Sequence, residues 1–142
     1  MKTRNVAVCV FTDGDDVVVQ DRRGHSRVGE RYGFWGGQVE EYESPKQAVE
    51  RELEEELGFV PEELNYWDEF SYIVQENCKY KDWQINFHVF LSPITPKLKK
   101  VRPTEGKGII KMPLEKVIEG KGFPSGSTKF LENVEYSEPQ GV

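Results

Sequence analysis

Glu52, Glu55 and Glu56 lie within one short segment, and on a helix their spacing sets three carboxylates side by side. At about 100° per residue, with Val49 at zero, Glu56 falls at about −20°, Glu52 at about −60° and Glu55 at about −120°. The three share an arc of roughly 100° beside an apolar stripe, where like charges three and four residues apart repel. Their position near the C-terminal end adds an unfavourable helix dipole. A bound divalent cation would relieve both costs. An all-oxygen, highly charged ligand set suits a hard ion, Mg²⁺ or in its place Mn²⁺, and such ions take further ligands from phosphates. The competing reading is a solvated acidic face, which an acidic run taken alone favours.

The charge distribution bears on that choice. The formal net charge is −6, and residues 37–59 hold eight Glu against only Lys46 and Arg51. The whole acidic excess therefore sits in this segment, while acids and bases balance elsewhere. Such a chain does not offer the general basic surface that holds long nucleic acid.

The elements that must position the glutamates can be read from local signals. Ser44-Pro45-Lys46-Gln47 is a helix start, with Ser as N-cap, Pro at the first helical position and Gln closing a capping box. Gly58 is a suitable stop. Val49, Leu53 and Leu57 recur every four residues, so a helix over about 45–57 packs one face, most simply on a sheet. Val6 to Phe11 reads as a buried strand, Asp13-Gly14 as a turn and Val17 to Val19 as a second strand. Residues 21–37 carry four Arg, His25 and five Gly, an ordered loop reaching a short strand near Tyr32, Phe34 and Trp35. Phe70 to Val74 and Ile85 to Leu91 alternate as strands on either side of polar Gln75 to Asp82. Residues 93–107 read as loop, Gly108 to Met112 as a last strand, Pro113 as the opening of a short helix and Thr128 to Asn133 as another. A polar tail follows from about 134. No repeat or linker interrupts the chain, so 1–142 is expected to be one domain.

Composition narrows the class. Hydrophobic residues make up 37% and charged residues 31% of the 142, an ordinary globular balance. The longest apolar run, Val6 to Phe11, is far short of a membrane span or a secretory signal. Cys9 and Cys78 are single thiols without the clustering of a disulfide framework or zinc site, so a cytoplasmic setting is expected. Gly120-Lys121 and Gly126-Ser127-Thr128 do not assemble a P-loop.

Written out, residues 37–59 run Gly37, five residues, Glu43, seven residues, Arg51-Glu52-Leu53, one residue, Glu55-Glu56, one residue, Gly58-Phe59. This resembles the signature of the Nudix hydrolase family at every specified position. The resemblance implies an α/β fold, an α/β/α sandwich with a mixed β-sheet. It also implies a pyrophosphohydrolase in which Glu52, Glu55 and Glu56 hold Mg²⁺, with the Gly37 carbonyl as a further ligand. Arg51 would orient a carboxylate and Glu43 would brace the loop. Water would attack a bridging diphosphate, with Glu52, Glu55, Arg51 and Glu105 as the catalytic set and a Glu as proton acceptor. Glu105 enters because a loop Glu outside the box serves as base in some members.

Of Arg22, Arg23, Arg27 and Arg31, one or two are expected to meet substrate phosphates, Arg23 and Arg27 first, because their forked donors suit them. Tyr32, Phe34 and Trp35 offer faces on which a base could stack; core packing is the commoner role for each, and Trp35 is the exception assigned to the substrate. The run Phe34-Trp35-Gly36-Gly37 departs from the Pro that precedes the paired Gly in many triphosphate members, which weighs against the group that removes oxidised nucleotides. The downstream Pro typical of ADP-ribose hydrolases and the Pro-Lys-Gly-His run of diadenosine polyphosphate hydrolases are both missing. The expected partner is therefore a small nucleoside di- or triphosphate derivative, with the protein a monomer or homodimer and neither long nucleic acid nor membrane involved. A hydrolase of a sugar nucleotide or dinucleoside polyphosphate is an alternative. So is a non-catalytic nucleotide-binding protein of the same fold, although such a protein would normally have a broken box. An isoprenoid diphosphate isomerase would need a catalytic Cys, and Cys9 falls in a core strand.

Overall fold

The computed structural model describes residues 1–21, 32–75, 77–99 and 108–119. In chain order the elements are β1 (Thr3–Asp13), β2 (Asp16–Asp21), β3 (Tyr32–Gly33), β4 (Trp35–Gln38) and α1 (Pro45–Leu57). They continue with β5 (Asn65–Ile73), β6 (Gln84–Pro93), α2 (Pro96–Lys99), β7 (Ile109–Pro113) and α3 (Leu114–Ile118).

The strands form one mixed sheet in the order β3-β2-β1-β6-β5, with β4 also on β1 and β7 also on β2. β1 runs parallel to β6 along its whole length and antiparallel to β2 and β4. Its run Ala7 to Phe11 is buried without interruption, as expected of a strand covered on both faces. On one face Ala7, Cys9, Phe11, Trp35 and Phe90 pack against Ala48, Val49 and Leu53 of α1. On the other, Val8, Val10, Val17, Val19 and Val89 pack with Leu114 and Val117 of α3. Helices thus lie on opposite faces of a mixed sheet, the expected sandwich.

Two elements depart from the sequence reading. β5 starts at Asn65, five residues before Phe70, because the pairing shifts between Tyr66 and Asp68. A bulge there breaks the period-two alternation that would mark the strand. Inside the expected 93–107 loop, the single turn α2 seats Leu98, fully buried, in the α1-side core; one apolar residue in a four-residue turn has no periodicity to detect. The expected helix at Thr128 to Asn133 and the polar tail lie outside the described residues. Among the described residues no helix is long and apolar enough to cross a membrane.

Candidate active site

α1 is fixed at both ends by its own sequence. The Ser44 Oγ accepts from the Gln47 N–H at 3.1 Å, and the Gln47 side chain accepts from the Ser44 N–H at 2.8 Å. Gly58 ends the helix with φ 82°. Val49 and Leu53 seat one face on the sheet, which aims the flanking glutamates at β4. The last turn has no basic residue to offset its carboxylates.

Glu56 turns inward. Its Oε2 accepts from Gln20 Nε2 at 2.9 Å and its Oε1 from the Gly36 N–H at 3.2 Å. Desolvation where the carboxyl meets Gln20 and Gly36, partly countered by these two donors and reinforced by Glu52 alongside, pushes it up to about 7, although the residue as a whole is exposed. Glu52 lies over the next glycine: a Cβ on Gly37 would overlap its carboxylate. Gly36 has φ 143°, and a Cβ there would strike the backbone of Ala7 and Val8 in β1. The paired glycines therefore serve two purposes, Gly36 for strand pairing and Gly37 for the approach of Glu52.

Arg51 organises the outer part of the site. Its guanidinium donates to both Glu43 oxygens at 2.9 and 3.1 Å, to Glu52 Oε1 at 2.9 Å and to the Gln38 carbonyl at 3.2 Å. The hydrogen bonds from Arg51, joined by one from the Glu40 N–H, hold the Glu43 carboxyl below the usual carboxylate range. Glu55 Oε1 sits 3.6 Å from the same guanidinium with its side chain 60% exposed.

The three glutamates expected to act together therefore divide two and one. Glu52 and Glu56 adjoin at the paired glycines, whereas Glu55 is turned outward to Arg51. Among the described residues, no three acidic, His or Cys side chains converge as a ready-made cation site. Glu105, Arg23 and Arg27 lie outside the described residues, as do Arg22 and Arg31.

Trp35 corrects the expectation of base stacking. It pairs with Cys9 across β1 and β4, is 3% exposed and meets Phe11 edge to face at 5.3 Å. Strand pairing turns its ring into the α1-side core, so neither face is open to a base.

Gln20 was not foreseen. It is 4% exposed at the end of the apolar strand Val17 to Val19. A polar residue closing such a run needs a buried partner, which is the signal that could have marked it. Tyr42 was also passed over: it is 96% exposed and has φ 68°, in the loop that leads to Glu43.

A family model described as the NUDIX domain matches residues 1–134. The chain belongs to the Nudix family. Among its relatives is an 8-oxo-dGTP diphosphatase of Escherichia coli strain K12, 30% identical over 73 residues. That match spans 51% of this chain and 57% of the relative, little more than half of its length. The Nudix fold is shared with the MutT Nudix hydrolase of Burkholderia pseudomallei, at TM-score 0.69 and 20% identity over 95% of this chain and 100% of that one. It is shared also with the ORF135 protein of E. coli, at TM-score 0.64 and 21% identity over 93% and 88%. The MutT protein of Methanosarcina mazei matches at TM-score 0.64 and 20% identity over 92% and 91%.

Proposed function

We propose that this Nudix chain hydrolyses the pyrophosphate linkage of a small nucleoside di- or triphosphate derivative with the help of a divalent cation, Mg²⁺ or Mn²⁺. The observation that carries the proposal is the pairing of Glu52 with Glu56 against Gly36 and Gly37, while Arg51 spans Glu43 and Glu52.

The residues fit such a cation. The donors are all oxygen, as hard ions require. Two adjoining carboxylates, one of them partly desolvated, make a position where positive charge relieves both repulsion and desolvation. Glu52, Glu55, Glu56 and the Gly37 carbonyl would hold it, Glu55 by swinging in from its exposed place beside Arg51. When bound, the cation supplies Lewis acidity that lowers the pKa of water and offsets charge on phosphate oxygens.

The rest belongs to the chain's own groups. Arg51 fixes the direction of the Glu52 carboxylate, and Glu43 fixes Arg51. The oxygen of water bonds to phosphorus, the bridging P–O bond breaks and a phosphate species leaves, while a carboxylate of the set Glu52, Glu55 and Glu105 accepts the proton. Arg23 and Arg27 are proposed to meet the substrate phosphates. The name of the E. coli relative supports including oxidised guanine nucleotides among the substrates tested.

The test is phosphate release, directly and after adding inorganic pyrophosphatase. The panel is common nucleoside triphosphates, 8-oxo-dGTP, sugar nucleotides and dinucleoside polyphosphates, each with Mg²⁺ and with Mn²⁺. Turnover of one class that disappears in Glu55→Gln supports the hydrolase. No turnover by the unaltered protein on any class, despite cation binding, replaces it with the non-catalytic nucleotide-binding reading.

A further inference from the structure

A second charged site adjoins the box on the far side of Gln38. Arg4 donates from Nε to Gln38 Oε1 at 3.3 Å, and the Gln38 carbonyl is the group that accepts from Arg51. The two arginines thus bracket one residue. The Arg4 guanidinium lies 4.7 Å from the centre of the Tyr80 ring, Lys79 Nζ lies 5.5 Å from the same ring, and Lys2 Nζ lies 5.4 Å from that of Trp83. Tyr80 and Trp83 meet edge to face at 5.1 Å.

The rings are held by backbone. The Val74 N–H donates to the Trp83 carbonyl at 2.9 Å, the Trp83 N–H to Tyr80 and the Gln84 N–H to Lys2. Three cations are therefore gathered on a fixed aromatic pair in a chain of net charge −6. None of them enters the ion pairs formed among the described residues. An exposed cation–π contact is weak, too weak to account for gathering three like charges. An anion arriving between them would turn that repulsion into attraction, and the Arg fork matches a phosphate.

We propose that Arg4, flanked by Lys2 and Lys79 on the Tyr80–Trp83 pair, receives a phosphate lying beyond the diphosphate attacked at the box. This rests on the pyrophosphohydrolase reading and narrows it: substrates with three or more phosphates are selected over diphosphate derivatives. Arg4 is a specificity-determining residue.

Two measurements test it. In EDTA at fixed low ionic strength, calorimetric titration compares inorganic tripolyphosphate with pyrophosphate, using the unaltered protein, Arg4→Gln, Arg4→Lys and the exposed double variant Lys2→Gln/Lys79→Gln. Tripolyphosphate is expected to bind more tightly than pyrophosphate. Arg4→Gln should weaken it about tenfold, the double variant severalfold, and Arg4→Lys less than Arg4→Gln. With Mg²⁺ present, kcat/KM for GTP relative to UDP-glucose should fall about tenfold in Arg4→Gln through KM, with kcat little changed. Absence of tripolyphosphate binding by the unaltered protein overturns the proposal, as does equal binding by Arg4→Gln with an unchanged thermal midpoint. Because the EDTA titration needs no turnover, failure of hydrolysis alone is told apart from failure of this site.

Discussion

Arg51 grips Glu43 through two parallel hydrogen bonds, Nε to Oε2 at 2.9 Å and Nη2 to Oε1 at 3.1 Å, and spends its remaining nitrogen on Glu52 at 2.9 Å. A planar fork can make the bidentate pair to Glu43 and still reach Glu52, a geometry that a single ammonium nitrogen does not reproduce. Glu52 therefore keeps its place against Gly37 only while Arg51 is an arginine.

Arg51→Lys is accordingly expected to lower cation affinity or activity by about 10- to 100-fold, the usual cost of losing a group that orients a ligand. The Mg²⁺ concentration for half-maximal turnover is the readout. Glu40, 3.8 Å from the same guanidinium and largely exposed, is the control. Glu40→Gln should shift that concentration less than about fivefold, because an exposed pair at that distance contributes about 0–1 kcal/mol.

The two adjacent glycines should fail in different ways when replaced by alanine. At Gly36 the Cβ meets the backbone of Ala7 in a left-handed conformation, and neither can yield without separating β4 from β1. Gly36→Ala should cost about 3 kcal/mol or more in urea unfolding. At Gly37 the Cβ meets only the Glu52 carboxylate, which can swing away. Gly37→Ala should fold within about 1 kcal/mol of the parent yet lose most activity. Equal destabilisation by both would show that the Glu52 carboxylate does not yield to a Cβ at Gly37.

Helix α1 was legible to the residue because its signals are local: Ser44, Pro45, Gln47 and Gly58 act within one turn of the backbone they cap. The spacing of the box likewise named Glu43, Arg51, Glu52 and Glu56 before any contact was seen. Facing and side-chain direction were not local. Whether Trp35 looks inward depends on its pairing with Cys9, and the first half of β5 was hidden by a bulge set by its pairing with β6. Helical spacing put Glu52, Glu55 and Glu56 on one arc. It could not show that Arg51, four residues before Glu55, draws that side chain outward, or that Gln20 from another strand claims Glu56.

The partly desolvated Glu56 carboxyl gives the cation-free protein an inverted pH response. Its pKa is pushed from 4.5 up to about 7 by burial, so between these values the folded state binds more protons than the unfolded state. Stability then falls as pH rises through that window, by an amount that solvent around this partly exposed residue keeps small. In EDTA, the urea midpoint should decline from pH 4.5 to 7.5 relative to that of Glu56→Gln, which removes the titration. Parallel pH profiles for the two proteins would sink the idea. Added Mg²⁺ should restore stability at the upper end, since a cation favours the ionised carboxylate.

Tyr42 occupies a conformation that suits glycine. Its φ of 68° lies in the left-handed region and its ring is 96% exposed, so no packing offsets the strain. The surrounding turn is closed by the Glu43 N–H to the Glu40 carbonyl at 3.1 Å and by the Glu40 N–H to Glu43 Oε1 at 3.0 Å. Neither bond uses the tyrosine side chain. A non-glycine residue pays roughly 1–2 kcal/mol in this region, and glycine returns part of that through its freer unfolded chain. Tyr42→Gly should therefore raise stability by about 0.5–1 kcal/mol, whereas Tyr42→Ala, which keeps a Cβ, should change it by less than about 0.5 kcal/mol. Urea midpoints of the three proteins measure the difference. A gain for alanine equal to that for glycine would trace the effect to loss of the exposed ring and not to the backbone. If Tyr42→Gly also leaves kcat and KM unchanged, the loop needs the turn and not the ring.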